Sequence, residues 1–135
     1  MITPKGSILV IDDDIEFLKD ISVLLSPHFI VSLATGSARG MDDLVKIKPD
    51  CLLLDINMEG FFGNNRRFEG LALLEELKKN PRYSSVSTIP VILLSSTHHP
   101  EKFEDPSRFG ADAFFPKPVD IDRLVDKIME LKKIP

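Results

Sequence analysis

The sequence predicts an α/β protein in three layers, a parallel sheet with helices on both faces. Three observations lead there. Short apolar runs alternate with stretches of helical period along the whole 135-residue chain, which is the pattern of repeated βα units. The apolar runs lack apolar–polar alternation, as strands buried on both faces require. Two of them end in acids, Ile8-Leu9-Val10-Ile11 at Asp12-Asp13-Asp14 and Cys51-Leu52-Leu53-Leu54 at Asp55. Open α/β sheets bind ligands at such carboxyl ends of strands.

Each element follows from local pattern. Ser7–Ile11 reads as a buried strand. Ile15, Leu18, Ile21 and Leu24 or Leu25 recur at three- and four-residue spacing, one face of a helix. Asp14, just before it, suits an N-cap. Phe29–Ala34 is the second strand. Ala38, Met41, Leu44 and Val45 mark a second helix, ended before Pro49. Cys51–Leu54 is the third strand. Leu71, Leu74 and Leu77 give a third helix, stopped by Asn80-Pro81. Ile89–Leu94 is the fourth strand and Ala113–Phe115 a short fifth. Between them Pro100 and Pro106 break any long helix, so one short helix starting near Asp105-Pro106, or two turns, is expected. Ile121, Leu124, Val125, Ile128 and Leu131 form the last helix. Asp120 or Asp122 lies near its start and Lys132-Lys133 at its end, charges that suit the helix dipole.

Composition limits the function. The chain length suits a single domain over residues 1–135. With 43% apolar and 28% charged residues, it has an ordinary globular composition. The net charge of −4 disfavours direct nucleic-acid binding, which needs a basic face. The apolar runs are too short to span a bilayer, and the N-terminus lacks the apolar core of a signal peptide. No membrane association is therefore expected. Cys51 is the sole cysteine, so no internal disulfide can form, and its apolar strand predicts a buried thiol. Together these features point to the cytoplasm.

The chemistry gathers at one rim. If the first and third strands are parallel neighbours, Asp12, Asp13 and Asp55 converge there. Converging carboxylates repel unless a cation holds them, and their hard oxygen ligands suit Mg²⁺. Ser95 ends the fourth strand and Lys117 follows the fifth, adding a hydroxyl and an ammonium. Each group has a task in phosphoryl transfer. A carboxylate can attack phosphorus, a metal can offset charge on the transferring oxygens, and a lysine and a hydroxyl can bind the remaining oxygens.

Four stretches, taken in order and on their strand ends, resemble the response-regulator receiver domains of two-component signalling. They are Ile8-Leu9-Val10-Ile11-Asp12-Asp13, Leu52-Leu53-Leu54-Asp55-Ile56-Asn57-Met58, Pro90-Val91-Ile92-Leu93-Leu94-Ser95-Ser96 and Gly110-Ala111-Asp112-Ala113-Phe114-Phe115-Pro116-Lys117-Pro118. The resemblance covers a core of about residues 7–133. It implies the flavodoxin-like, receiver-type strand order 2-1-3-4-5. It implies that Asp55 is the phospho-acceptor and that Asp13 binds Mg²⁺ directly, with Asp12 binding directly or through water. The Asn57 carbonyl would complete the protein's share of the metal shell. Ser95 would be the switch hydroxyl and Lys117 the phosphate-pairing lysine, with a cis bond to Pro118. Ser96 would leave room for the phosphoryl group. Phe114 would be the switch aromatic, without the hydroxyl of the more usual Tyr. The implied partners are a sensor histidine kinase or phosphotransfer protein upstream and an output protein or domain downstream. The implied role is that of a phosphorelay receiver, not an enzyme, which assists its own phosphorylation and dephosphorylation.

Two features depart from the family pattern. An insertion at about 59–69, containing Gly60-Phe61-Phe62-Gly63-Asn64-Asn65-Arg66-Arg67-Phe68, adds roughly seven residues beside the acceptor, and loops of this kind are often functional. As a plain surface insertion it would add little entropy cost; its three phenylalanines favour packing or a partner. The proline-containing region before the fifth strand is expected to reshape the output surface, which leaves family-type dimerisation and the oligomeric state open. His98-His99 fit an exposed loop better than a metal site.

Other functions of this fold remain in view. A phosphorylation-independent receiver-like binding module usually loses an acid or the lysine, and this chain keeps them. A Mg²⁺-dependent phosphatase with an aspartate nucleophile needs a second acid two residues on, where Asp55-Ile56-Asn57 has an amide. A flavin protein needs a phosphate loop after the first strand, where acids stand instead. Deleting residues 60–68 is expected to change the lifetime of a phosphoryl group on Asp55 or the choice of partner. Unchanged decay kinetics together with unchanged partner binding would refute a role for the insertion.

Overall fold

The computed structural model describes residues 6–56, 69–95, 107 and 110–132, side chains at 37, 38 and 69 excepted. Their elements alternate as anticipated: β1 (Ser7–Asp12), α1 (Ile15–Leu25), β2 (Ile30–Thr35), α2 (Ser37–Ile47), β3 (Cys51–Asp55), α3 (Glu69–Lys79), a 3₁₀ turn (Pro81–Tyr83), β4 (Val91–Ser95), β5 (Ala113–Pro116) and α4 (Ile121–Leu131). The five strands form one sheet in the order β2-β1-β3-β4-β5. All four pairings are parallel. No helix among the described residues is long and apolar enough to cross a membrane. The insertion and the short helix expected near Asp105-Pro106 fall on residues outside those described, Glu69 and Ser107 apart.

Strand parity divides the core in two, because successive side chains point to opposite faces. Leu9, Ile11, Leu52, Leu54, Val91 and Leu93 pack with Met41 and Leu44 of α2 and with Leu73, Leu74 and Leu77 of α3. Ile8, Val10, Cys51, Leu53, Ile92 and Leu94 pack with Leu18, Ile21 and Leu25 of α1 and with Leu124 and Ile128 of α4. β1, β3 and β4 are therefore apolar at almost every position, as strands covered on both faces must be.

Local chemistry sets the boundaries. The Asp14 carboxylate accepts the Glu16 and Phe17 N–H groups and caps α1. Asp120 does the same for Arg123 at the start of α4. Asn80 ends α3 and caps the 3₁₀ turn by accepting the Arg82 N–H. That connection then contributes Tyr83 and Val86 to the core, a contribution the sequence pattern did not signal.

Three expectations need correction. Ile15 is 56% exposed, while of Leu24 and Leu25 it is Leu25 that is buried; the inner face of α1 runs through Phe17, Leu18, Ile21 and Leu25. β2 is an edge strand whose Ile30 and Leu33 face solvent, so burial on both faces does not extend to it. Lys132 does more than complement a helix dipole. Its side chain is almost enclosed and its Nζ lies 3.5 Å from Asp50 Oδ2, the oxygen that also accepts the Ser7 N–H. This contact joins the end of α4 to the start of the sheet. Cys51 is buried as expected, and burial, followed by the Asp112 carboxylate, pushes its thiol up to about 12.

Gly40 marks the closest approach of α2 to the sheet. A Cβ there would lie 2.6–2.9 Å from three side-chain atoms of Ile11, which is fully buried. Gly40→Ala gains about 1 kcal/mol of helix propensity but overpacks the core by about 1–3 kcal/mol. The variant is expected to be less stable than the parent in urea titrations. A more stable variant would show that α2 can move off the sheet at no cost.

Candidate functional site

The register of the sheet places the acids together. β1 and β3 pair with Ile11 opposite Leu54, so the next residues, Asp12 and Asp55, lie side by side at the carboxyl ends. Both have the parity of the α1/α4 face, Asp12 following Ile8 and Val10, and Asp55 following Cys51 and Leu53. Both are buried. Asp13, the next residue along, is exposed. Carboxylate oxygens of Asp12, Asp13 and Asp55 all lie within 4.8 Å of one another.

Lys117 reaches this cluster from the other side. Its backbone N–H donates to the Ser95 carbonyl at 2.8 Å, continuing the β4–β5 ladder past Ser95 and Pro116. Its ammonium donates to Asp12 Oδ2 at 2.7 Å and stands 3.7 Å from Asp55 Oδ1. Only 16% of the lysine side chain is exposed, so solvent screens these charges weakly. The Lys117–Pro118 bond is cis, as the resemblance implied.

The rest of the rim is equally constrained. Asp12 Oδ1 accepts the Asp14 N–H at 2.9 Å, so the turn into α1 is tied to the buried acid. Ser95 is fully buried at the end of β4, one residue beyond Leu94, the register partner of Asp55. Phe114 pairs with Leu93 and packs partly buried against the α2/α3 core. Behind Asp55, α3 begins so close that a Cβ on Gly70 would lie 2.0 Å from the Asp55 carbonyl oxygen. The Gly70 N–H donates to the Ile56 carbonyl at 2.9 Å, so glycine lets the returning chain dock directly against the strand carrying the acid.

The donor set fits a hard divalent cation. It consists of three carboxylates with oxygens close enough to share one ion, and oxygen is the ligand such cations take. Both Asp12 oxygens already have a partner, yet each carboxylate oxygen carries a second lone pair. The structure thus brings together Asp12, Asp13, Asp55 and Lys117, with Ser95 and Phe114 on the adjoining strands. Asn57, Ser96, His98 and His99 lie outside the described residues. Phe17 is the member of the site that the sequence did not reveal: the Lys117 Nζ stands 4.1 Å from its ring centroid. Its position three residues after the capping Asp14 was the available signal, since that turn starts at the rim.

Residues 8–129 match the family model described as the response regulator receiver domain. The chain is 27% identical over 125 residues to the sensory transduction protein BceR of Halalkalibacterium halodurans, covering 92% of this chain and 48% of that protein. It is 28% identical over 127 residues to the transcriptional regulatory protein FixJ of Bradyrhizobium diazoefficiens, covering 93% of this chain and 56% of that protein. The chain therefore spans about half the length of these relatives. Among solved structures it resembles the signal receiver domain of a DNA-binding response regulator from Colwellia psychrerythraea. That match has a TM-score of 0.77 and 26% identity, over 95% of this chain and 98% of the other. A response regulator from Desulfuromonas acetoxidans matches with a TM-score of 0.75 and 26% identity, over 94% of this chain and 96% of the other.

Removing one partner of a largely buried charge pair leaves the other uncompensated. Lys117→Met is expected to lower the unfolding free energy by about 2–4 kcal/mol in Mg²⁺-free buffer. Adding Asp12→Asn should recover part of the loss. Urea titrations of both single variants and the double variant measure the coupling; strictly additive losses would show that the two side chains do not act as a pair.

Proposed function

We propose, on the premise that this chain belongs to the response regulator receiver domain family, that it is a phospho-acceptor switch in which Asp55 takes a phosphoryl group. The observation that carries this reading is the convergence of Asp12, Asp13 and Asp55 within 4.8 Å, with the Lys117 ammonium 2.7 Å from one buried acid and 3.7 Å from another.

The donor is a phosphohistidine on a sensor kinase or phosphotransfer protein. An Asp55 carboxylate oxygen attacks phosphorus, forming an O–P bond as the N–P bond breaks. The imidazole leaves with the electron pair and takes up a proton. In this reading Lys117 pairs with a phosphoryl oxygen, supported by the three donors of its ammonium and its distance of 3.7 Å from Asp55 Oδ1. Asp12 and Asp13 are the residues that would hold Mg²⁺ together with Asp55, and the Asn57 carbonyl is its further candidate ligand. When bound, the ion offsets the negative charge gathering on the transferring oxygens.

The switch follows from contacts present in one state and not the other. A phosphoryl group on Asp55 gives the Ser95 hydroxyl an acceptor, and drawing Ser95 toward it opens space for Phe114 to change rotamer. The output surface around β5 and α4 then shifts its population between two arrangements, which a downstream output protein or domain reads. Hydrolysis of the acyl phosphate by water resets the state. In this reading the protein is a relay component that assists its own phosphorylation and dephosphorylation, working in the cytoplasm.

Incubation with acetyl phosphate and Mg²⁺ is expected to add the mass of one phosphoryl group to the intact protein. Asp55→Asn should abolish the gain, and chelating the metal should slow it strongly. A parent protein that gains no mass would overturn the phospho-acceptor reading in favour of a phosphorylation-independent binding module.

A further inference from the structure

Four residues close a ring of contacts that includes two side chains with no part in the proposed chemistry, the helix cap Asp14 and Phe17. Lys117 Nζ donates to Asp12 Oδ2 at 2.7 Å. Asp12 Oδ1 accepts the Asp14 N–H at 2.9 Å. Asp14 Oδ1 accepts the Phe17 N–H at 3.2 Å. The Phe17 ring then returns to Lys117, whose Nζ lies 4.1 Å from the ring centroid, within cation–π range. Phe17 is half-buried and packed against the α1/α4 core, so its ring is held from behind as well as by the capped first turn.

The chemistry of that contact differs from the carboxylate contacts beside it. An aromatic face attracts an ammonium through its quadrupole but offers no lone pair that fixes the direction of an N–H. Each N–H that a lysine gives to an acid is tied to the direction of that acid's lone pair, so the ammonium turns only against those charged hydrogen bonds. A lysine resting on a ring keeps one favourable contact while its donors turn from Asp12 toward a newly arrived oxygen. The ring also covers one side of the ammonium, leaving its N–H groups to address the rim. Leucine would fill similar space without the quadrupole.

We infer that Phe17 is a positioning residue, whose ring holds the Lys117 ammonium against the Asp12–Asp55 pair and sustains it while it passes to an incoming phosphoryl oxygen. This rests on the phospho-acceptor reading of Asp55. The test replaces Phe17 in the full chain, by site-specific incorporation, with 4-fluoro-, 3,5-difluoro- and 3,4,5-trifluorophenylalanine. These rings keep their shape while the negative face is progressively withdrawn. The initial rate of phosphorylation by acetyl phosphate with Mg²⁺ is expected to fall stepwise across the series, by about 3- to 10-fold in total, at unchanged melting temperature. Phe17→Leu should match the trifluoro variant, and Phe17→Tyr should retain most of the rate. A flat rate across the series overturns the inference while leaving the phospho-acceptor reading intact. Should the parent protein take no phosphoryl group, the Lys117 Cε resonance decides the positioning itself. A ring-current shift lost in Phe17→Leu supports it, and an unshifted resonance in the parent rejects it.

Discussion

Charge compensation at the rim of the sheet is the constraint on which the rest of this structure depends. Asp12 and Asp55 are both buried, and adjacent anions in a poorly solvated place repel strongly. The Lys117 ammonium answers both from a position between β1 and β3. It can do so because its backbone is bonded to Ser95. One lysine therefore links β1 and β3 through charge, and joins them to β4 through its backbone hydrogen bond, where hydrophobic packing gives out. Three carboxylates grouped this closely are a donor set that suits a hard cation, and the ammonium beside them suits an anionic group.

The surrounding structure serves to keep those few atoms still. Parallel register aligns Asp12 with Asp55, and parity turns both toward the α1/α4 face, where Phe17 stands. Two glycines let helices approach where any side chain would intrude, Gly40 against Ile11 and Gly70 against the Asp55 carbonyl. At the other end of the sheet, Lys132 and Asp50 join α4 to the first residues of β1. Hydrogen bonds and ion pairs thus tie the strand tips to one another and to the first turn of α1. The proposed switch elements, Ser95 and Phe114, sit on the next two strands, where a change at Asp55 can reach them through direct neighbours.

Much of this was legible in the chain itself. Apolar runs of strand length, interrupted by helical period, are enough for a parallel α/β sheet, because each pattern admits one kind of burial. The acids at two strand ends, the serine at a third and the lysine after a fifth are one-dimensional facts, and the order of the elements carries them to one rim. A helix start was legible where a side chain must satisfy backbone donors, as at Asp14; at the last helix the sequence offered Asp120 or Asp122, and Asp120 is the cap. Errors arose where two spacings fit equally well. Ile15 and Phe17 both suit a helix whose inner face holds Leu18 and Ile21, and only packing against β1 and Lys117 chooses between them. The exposure of β2 was hidden for a related reason, since an edge strand and a central one can share an apolar composition.

The sequence by itself determined the fold class, the strand ends that carry chemistry and the residue types that meet there, because hydrophobic period and strand polarity are local properties. Tertiary structure alone decided the partners. It made Lys117 lean on Asp12 more closely than on Asp55, placed an aromatic ring beneath that ammonium, and brought Gly70 against the Asp55 carbonyl. These are contacts between residues far apart in the chain, whose distances are set by how strands and helices stack rather than by spacing along it.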